Sequence, residues 1–219
     1  MNLSMKRIAF YGGSFDPFHC GHLTIGRELL KAFSLDEFYY VPAFHAPHKH
    51  SKPVSPLHRY AMLCLSTAND EKLKVSPIEI EAPERPYTFE TLTRLNRELP
   101  DAQIYFVMGA DSWQDIRTWR EWELVLNLSN HIVVTRPGHE IGFSHVTDDI
   151  RAKVVDLRNL PAGPVPVSSS RDAIYVTDVV NLDISASGIR QDIRSAGEKW
   201  RTRVPAEVAK YIEKYQIYK

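Results

Sequence analysis

One stretch constrains the fold of this chain before any other. The apolar run Ile8-Ala9-Phe10-Tyr11 stops at Gly12-Gly13, and beyond it Leu23, Ile25, Leu29, Leu30 and Phe33 recur at helical spacing. A short apolar run closed by glycine reads as a buried strand, and apolar positions every three to four residues read as a helix, here one beginning near His19 to His22. Phe38-Tyr39-Tyr40-Val41, stopped by Pro42, is then a second strand. Strand, helix and strand make a β-α-β unit, the building block of parallel sheets.

The alternation continues. Ser55-Pro56 has the form of an N-cap followed by proline at the first helical position, opening a helix through Leu65. Lys74 to Ile80 alternates like a strand, and Thr88 to Leu99 is helical until Pro100. Ile104 to Met108 is an apolar strand ending in Gly109-Ala110-Asp111, Glu121 to Leu128 a helix, and His131 to Thr135 a strand closed by Pro137-Gly138. Ile174 to Val176 is a short strand, followed by helical turns from Ser187 to Ala196 and from Pro205 onward. The stretch from Gly138 to about Ser170, with Pro161, Pro164, Pro166 and three consecutive serines, reads as a loop-rich insertion. The expected fold is α/β: a Rossmann-like, doubly wound parallel sheet with a small helical C-terminal part. One domain is expected over residues 1–219, with an α/β core over 1–183, its loop-rich stretch at about 140–170, and C-terminal helices over 184–219.

Composition narrows the partners. The 219 residues carry 27 basic and 27 acidic side chains, and so no formal net charge. That argues against bulk nucleic-acid binding, which needs a basic surface, but leaves room for a small anion. Cys20 and Cys64 form no CxxC pair and give no disulfide framework. The first apolar run is too short for a signal peptide, and no stretch approaches the ~18 apolar residues of a membrane span. The expectation is a cytoplasmic protein with neither membrane nor nucleic acid as partner; a homo-oligomer stays open.

A strand running through Gly12-Gly13-Ser14 into a helix is a geometry that binds phosphate, because free N–H groups at the helix start attract anions. Packing alone explains such glycines equally well, and neither GxGxxG nor GxxxxGK[ST] is present. His19 and His22 shift the balance: residues at i and i+3 share a helix face, so both imidazoles can address the same phosphates. A zinc site would need further ligands, and no HExxH pattern is present, so no metal site is expected.

Gly12-Gly13-Ser14-Phe15-Asp16-Pro17-Phe18-His19-Cys20-Gly21-His22 resembles the GxFDPxHxGH signature of the HxGH nucleotidyltransferase superfamily. Ile184-Ser185-Ala186-Ser187-Gly188-Ile189-Arg190 is similar to its second signature, ISSTxIR. There Ser187 is a plausible N-cap, with the forked cation of Arg190 one turn in. Ala46-Pro47-His48-Lys49, Pro86-Tyr87-Thr88, Gly109-Ala110-Asp111-Ser112, Trp119 and Arg136-Pro137-Gly138 match, in order and approximate spacing, the nicotinate mononucleotide adenylyltransferase family. The similarity spans nearly the whole chain except about 140–170.

The resemblance implies that His19, His22, Lys49 and Arg190 are the catalytic set on the ATP phosphates. Gly12, Gly13, Ser14, Phe15, His48, Ser185, Ser187 and Ile189 would complete the ATP site. For nicotinate mononucleotide it implies Ser14, Thr88, Gly109, Asp111, Trp119, Arg120 and Arg136, with Trp119 stacked on the pyridine ring, the Thr88 region on its carboxylate and Asp111 on a ribose. Three positions depart from the family pattern: Ala43 stands where asparagine is common, Arg120 where tyrosine is common, and Ala46-Pro47 where two prolines are. Ala43 removes one polar contact; Arg120 is either neutral or itself a partner of the substrate carboxylate. His45, His48 and His50, with Lys49 among them, read as a basic phosphate-facing loop.

The activity so implied is transfer of AMP from MgATP to nicotinate mononucleotide, giving nicotinate adenine dinucleotide and pyrophosphate in NAD biosynthesis. The acceptor's own phosphate is the nucleophile, so catalysis rests on positioning two anions and neutralising the leaving group. Mg2+ would arrive on ATP with mostly water ligands. Two other readings remain: nucleotidyl transfer to another acceptor such as phosphopantetheine or an alcohol phosphate, and a non-catalytic ATP-binding sensor.

Overall fold

A computed structural model describes residues 5–44, 54–135, 141–158, 165, 172–180 and 182–219. Seven strands form one sheet: β1 (Lys6–Gly13), β2 (Glu37–Pro42), β3 (Leu73–Val75), β4 (Ala102–Gly109), β5 (Asn130–Val134), β6 (Val154–Asp156) and β7 (Ile174–Thr177). Their order is β3-β2-β1-β4-β5-β7-β6, and every pairing is parallel. Helices α1 (Cys20–Ala32), α2 (Pro56–Thr67) and α3 (Thr88–Glu98) provide the first crossovers, and α4 (Ala110–Gln114) and α5 (Trp122–Leu128) the next. A short α6 (Asp148–Arg151) precedes β6, and α7 (Ala186–Arg194) and α8 (Ala206–Tyr215) follow β7.

Strand direction in the sequence decides which side chains face which layer. Along β4, Ile104, Phe106 and Met108 enter one core with Leu92 and Leu95 of α3 and Val125 and Leu126 of α5. Tyr105 and Val107 enter the opposite core with Leu29 and Phe33. Both faces of the sheet are therefore covered, as a parallel sheet requires. A third cluster joins Met62 of α2 to Ile189 and Ile193 of α7 and to Val208 and Ile212 of α8. The helices after β7 thus pack on the helix between β2 and β3.

At Gly26, in the middle of α1, a Cβ would run into the hydroxyl of Tyr40, which donates to the His22 carbonyl at 3.0 Å. Glycine there lets α1 lie close against β2, which outweighs its usual cost inside a helix.

Two expectations need correction. The strand expected over Lys74 to Ile80 lasts only through Val75: it lies at the sheet edge, and Pro77, without an N–H, opens a turn whose carbonyl accepts from Ile80 at 2.8 Å. The stretch from Gly138 to Ser170 is not all loop, since α6 and the edge strand β6 lie within it. Their shortness and mixed polarity hide them, and β6 exists because β7 offers it an edge. Ser55 stands at the N-cap of α2 with Pro56 opening the helix, as expected, and its side chain makes no capping bond.

Candidate active site

The sheet reverses its direction of growth between β1 and β4, which run to β2 on one side and β5 on the other. In open α/β sheets ligands bind beyond the carboxyl ends of strands at such a switch point. Gly12-Gly13 end β1 and Gly109 ends β4, so both glycine segments named from the sequence border this one crevice.

At the β1 side, packing rather than flexibility explains the second glycine. A Cβ on Gly13 would come within 2.9 Å of the Phe15 ring. The left-handed residue in the loop is Phe15 itself (φ 46°), whose buried ring meets His22 edge-on at 5.0 Å. Phe18 stacks on His22 at 5.5 Å, and His19 and His22 stack with centroids 3.6 Å apart. His19 is the N-cap residue of α1, and its backbone N–H donates to Nδ1 of His22 at 3.3 Å. With Nδ1 accepting, the neutral ring carries its proton on Nε2, which makes His22 a donor on that edge. The same helix start is tied to the other end of the chain: Cys20 N donates to the Arg203 carbonyl at 2.9 Å.

The second motif meets this loop. The N-cap of α7 is Ser185, not Ser187 as expected: Ser185 Oγ accepts from Gly188 N at 3.2 Å, and Ser187 sits in the first turn with its Oγ 3.4 Å from that of Ser185. Both positions can cap by residue type; extended backbone at Ser185 decides between them. Ile189 buries its side chain in the third core and gives its N–H to the Ser185 carbonyl at 3.1 Å, so its part is to hold the helix start. Arg190 donates from Nη1 to the Asp16 carbonyl at 2.6 Å, with the same nitrogen 3.8 Å from Asp16 Oδ2. Asp16 is buried and also receives Val54 N at 3.3 Å and the Tyr218 hydroxyl at 2.8 Å on Oδ1.

Arg59 is the residue that sequence reasoning missed. Fully buried on α2, it donates to the carbonyls of Ser14 (2.6 Å), Ala43 (2.6 Å), Phe44 (3.3 Å) and Val54 (3.0 Å). Burial pushes its pKa down, opposed by the charge of Asp16. A signal was present: Arg59 lies three and four residues before Met62 and Leu63, on the apolar face of its helix.

On the β4 side, Gly109 caps α4 and a Cβ on it would meet nothing within 4 Å, so its backbone borders open space. Asp111 is exposed in the first turn of α4. Trp119 is half-buried, with its ring edge-on to Phe106 at 6.3 Å. Arg120 lies over the Tyr87 ring at 4.9 Å and the Phe89 ring at 5.9 Å, which brings it to the start of α3, where Thr88 is the first helical residue. Thr88 and Arg120 are thereby grouped, with Trp119 directly before Arg120 in the chain. His48, Lys49 and Arg136 lie outside the described residues, as do His45 and His50.

Among the described residues no group of three or more His, Cys, Asp or Glu side chains is arranged to hold a metal ion, and no helix is long and apolar enough to cross a membrane. Among the described residues the groups gathered here are the Arg190 guanidinium, two imidazoles and backbone N–H groups, and the buried Asp16 carboxylate is already engaged. That chemistry suits a polyphosphate.

Comparison with known proteins agrees with this geometry. The cytidylyltransferase-like family model matches residues 10–192. A probable nicotinate-nucleotide adenylyltransferase of Corynebacterium glutamicum is 36% identical over 216 residues, covering 97% of this chain and 88% of that one. One from Tropheryma whipplei is 35% identical over 209 residues, covering 95% and 97%. The solved structure of the Plasmodium falciparum nicotinic acid mononucleotide adenylyltransferase complexed with NaAD shares the fold, with a TM-score of 0.75 at 21% identity over 97% of each chain. The chain therefore belongs to the cytidylyltransferase-like family and, within it, to the nicotinate-nucleotide adenylyltransferases.

Proposed function

We propose that this chain transfers the adenylyl group of MgATP to the phosphate of nicotinate mononucleotide, a step of NAD biosynthesis. The observation that carries the reading is the meeting of two phosphate-type helix starts, those of α1 and α7, at the switch point, joined by Arg190 on Asp16. A phosphate oxygen of the mononucleotide attacks the α-phosphorus in line. The bond from that phosphorus to the bridging oxygen breaks, and pyrophosphate leaves with the electron pair. A phosphate monoester is already anionic near neutral pH, so no general base is required. The protein's task is to hold two anions together and to neutralise charge on the leaving group.

His22, donating from Nε2, and His19 beside it address the triphosphate, with Arg190 from the opposite helix. Lys49 and His48 complete that set. Gly12 to Phe15 and the first turn of α7, through Ser185 and Ser187, line the nucleotide side. Mg2+ would enter with ATP as MgATP and would supply neutralising charge to the phosphates. Trp119 stacks on the pyridine ring, Thr88 and Arg120 address its carboxylate, and Gly109, Asp111, Ser14 and Arg136 border the ribose phosphate. The enzyme works in the cytoplasm, alongside its substrates.

The direct test is incubation with MgATP and, separately, nicotinate mononucleotide, nicotinamide mononucleotide and phosphopantetheine, with products identified by mass. Nicotinate adenine dinucleotide as the principal product is expected. Activity with phosphopantetheine alone would replace the acceptor, and ATP binding without any product would make the chain a sensor.

A further inference from the structure

The segment after α8 reaches the site from the far end of the sequence. It turns back through Gln216 (φ 53°) and Tyr218 (φ 72°), both left-handed, a region that side-chain-bearing residues keep only where their surroundings enforce it. Ile217 and Tyr218 are buried in the third core, and Ile217 N donates to the Ile212 carbonyl at 3.1 Å. Core filling alone would be served as well by an apolar ring. The tyrosine hydroxyl instead has one hydrogen-bond partner among the described residues, Oδ1 of Asp16 at 2.8 Å. Burial and the Asp16 charge push its pKa well up, so it stays a donor.

Asp16 is where the two motifs touch. Its carbonyl holds Arg190 Nη1 at 2.6 Å, while its Oδ2 lies 3.8 Å from the same nitrogen, just beyond a close ion pair. A buried carboxylate short of donors draws a nearby guanidinium into a bidentate pair, which would take the fork of Arg190 away from phosphate. Tyr218, together with Val54 N at 3.3 Å, satisfies Oδ1.

We propose that Tyr218 is a positioning residue for the transfer reaction: by holding the Asp16 carboxylate it leaves the guanidinium of Arg190 anchored through one backbone bond and open to the phosphates of ATP. The inference rests on the reading that Arg190 contacts ATP.

The test is Tyr218→Phe, which removes the hydroxyl and keeps the ring. Calorimetry with MgATP needs no acceptor and so judges this inference apart from the transferase reading. The dissociation constant for MgATP should rise about five- to tenfold, roughly the worth of one ordinary hydrogen bond. In turnover assays the KM for ATP should rise while that for nicotinate mononucleotide stays within about twofold. In an Asp16→Asn background, where no carboxylate remains to draw Arg190 away, the added Tyr218→Phe change should cost nothing further. Unchanged MgATP affinity in Tyr218→Phe, equal weakening toward both substrates, or additive effects in the double variant would each overturn the proposal.

Discussion

Arg59 donates from Nη1 to the carbonyl of Ser14 at 2.6 Å, from a side chain with no surface exposed. The same guanidinium reaches the carbonyls of Ala43, Phe44 and Val54. One buried cation therefore clamps the loop after β1 to the segment after β2 and to the entry of α2. The first two segments leave the carboxyl ends of β1 and β2 beside the crevice, so their spacing depends on a residue outside both motifs.

Replacing Arg59 with alanine leaves these carbonyls without their donor in a closed interior, at a cost of about 3 kcal/mol or more. Arg59→Lys should recover only part, because an ammonium cannot fork to separated acceptors. Urea unfolding measures both. An Arg59→Ala protein within 1 kcal/mol of wild type, on the order of one ordinary hydrogen bond, would contradict the clamp.

His22→Ala should fold and yet lose about 10^2–10^3 in kcat, the usual cost of removing one donor aimed at developing charge. The ring is packed among Phe15, Phe18 and His19, so a loss of a few degrees in Tm is expected as well. Single-turnover rates on the folded variant separate the two effects. Wild-type rates would remove His22 from the chemistry.

Trp119→Ala should raise the KM for nicotinate mononucleotide about tenfold or more and leave that for ATP nearly unchanged, since stacking of this kind is worth roughly 1–3 kcal/mol. Arg120→Tyr tests the departure beside it: if Arg120 pairs with the pyridine carboxylate, the variant loses discrimination against nicotinamide mononucleotide. Equal ratios of kcat/KM for the two acceptors in both proteins would leave Arg120 to its contacts with Tyr87 and Phe89.

Glu79 gives a pH dependence of stability. Burial raises its pKa from 4.5 to about 7, against the Thr91 hydroxyl bond and the charges of Arg85 and Arg59. Between those values the folded state holds a proton that the unfolded chain has lost, so stability falls as pH rises from about 4.5 to about 7 and then levels off. The drop is roughly 3.4 kcal/mol at most. Glu79→Gln should flatten this part of the curve and be the more stable protein at pH 8. Parallel stability curves for the two proteins, followed by thermal unfolding, would refute the assignment.

The strands were readable because each central strand is buried on both faces and must be apolar throughout. Ile8 to Tyr11, Ile104 to Met108 and His131 to Thr135 announce themselves by that pressure. Edge strands feel it less, which is why the extent of β3 and the existence of β6 escaped. The cap of α7 was misplaced by two residues because Ser185 and Ser187 are the same residue type in the same motif, and only backbone conformation separates them.

By itself, the sequence determined the parallel α/β sheet, the histidines and glycines of the first motif and the arginine of the second. These follow from local periodicity and from motif spacing, which a linear chain carries intact. Tertiary structure alone decided that Arg190 rests on Asp16, that Tyr218 holds the same carboxylate from 202 positions away, and that Arg59 is a clamp and not a surface charge. A hydrogen bond between residues far apart in sequence leaves no periodicity behind. It becomes visible only when folding has excluded water from both partners.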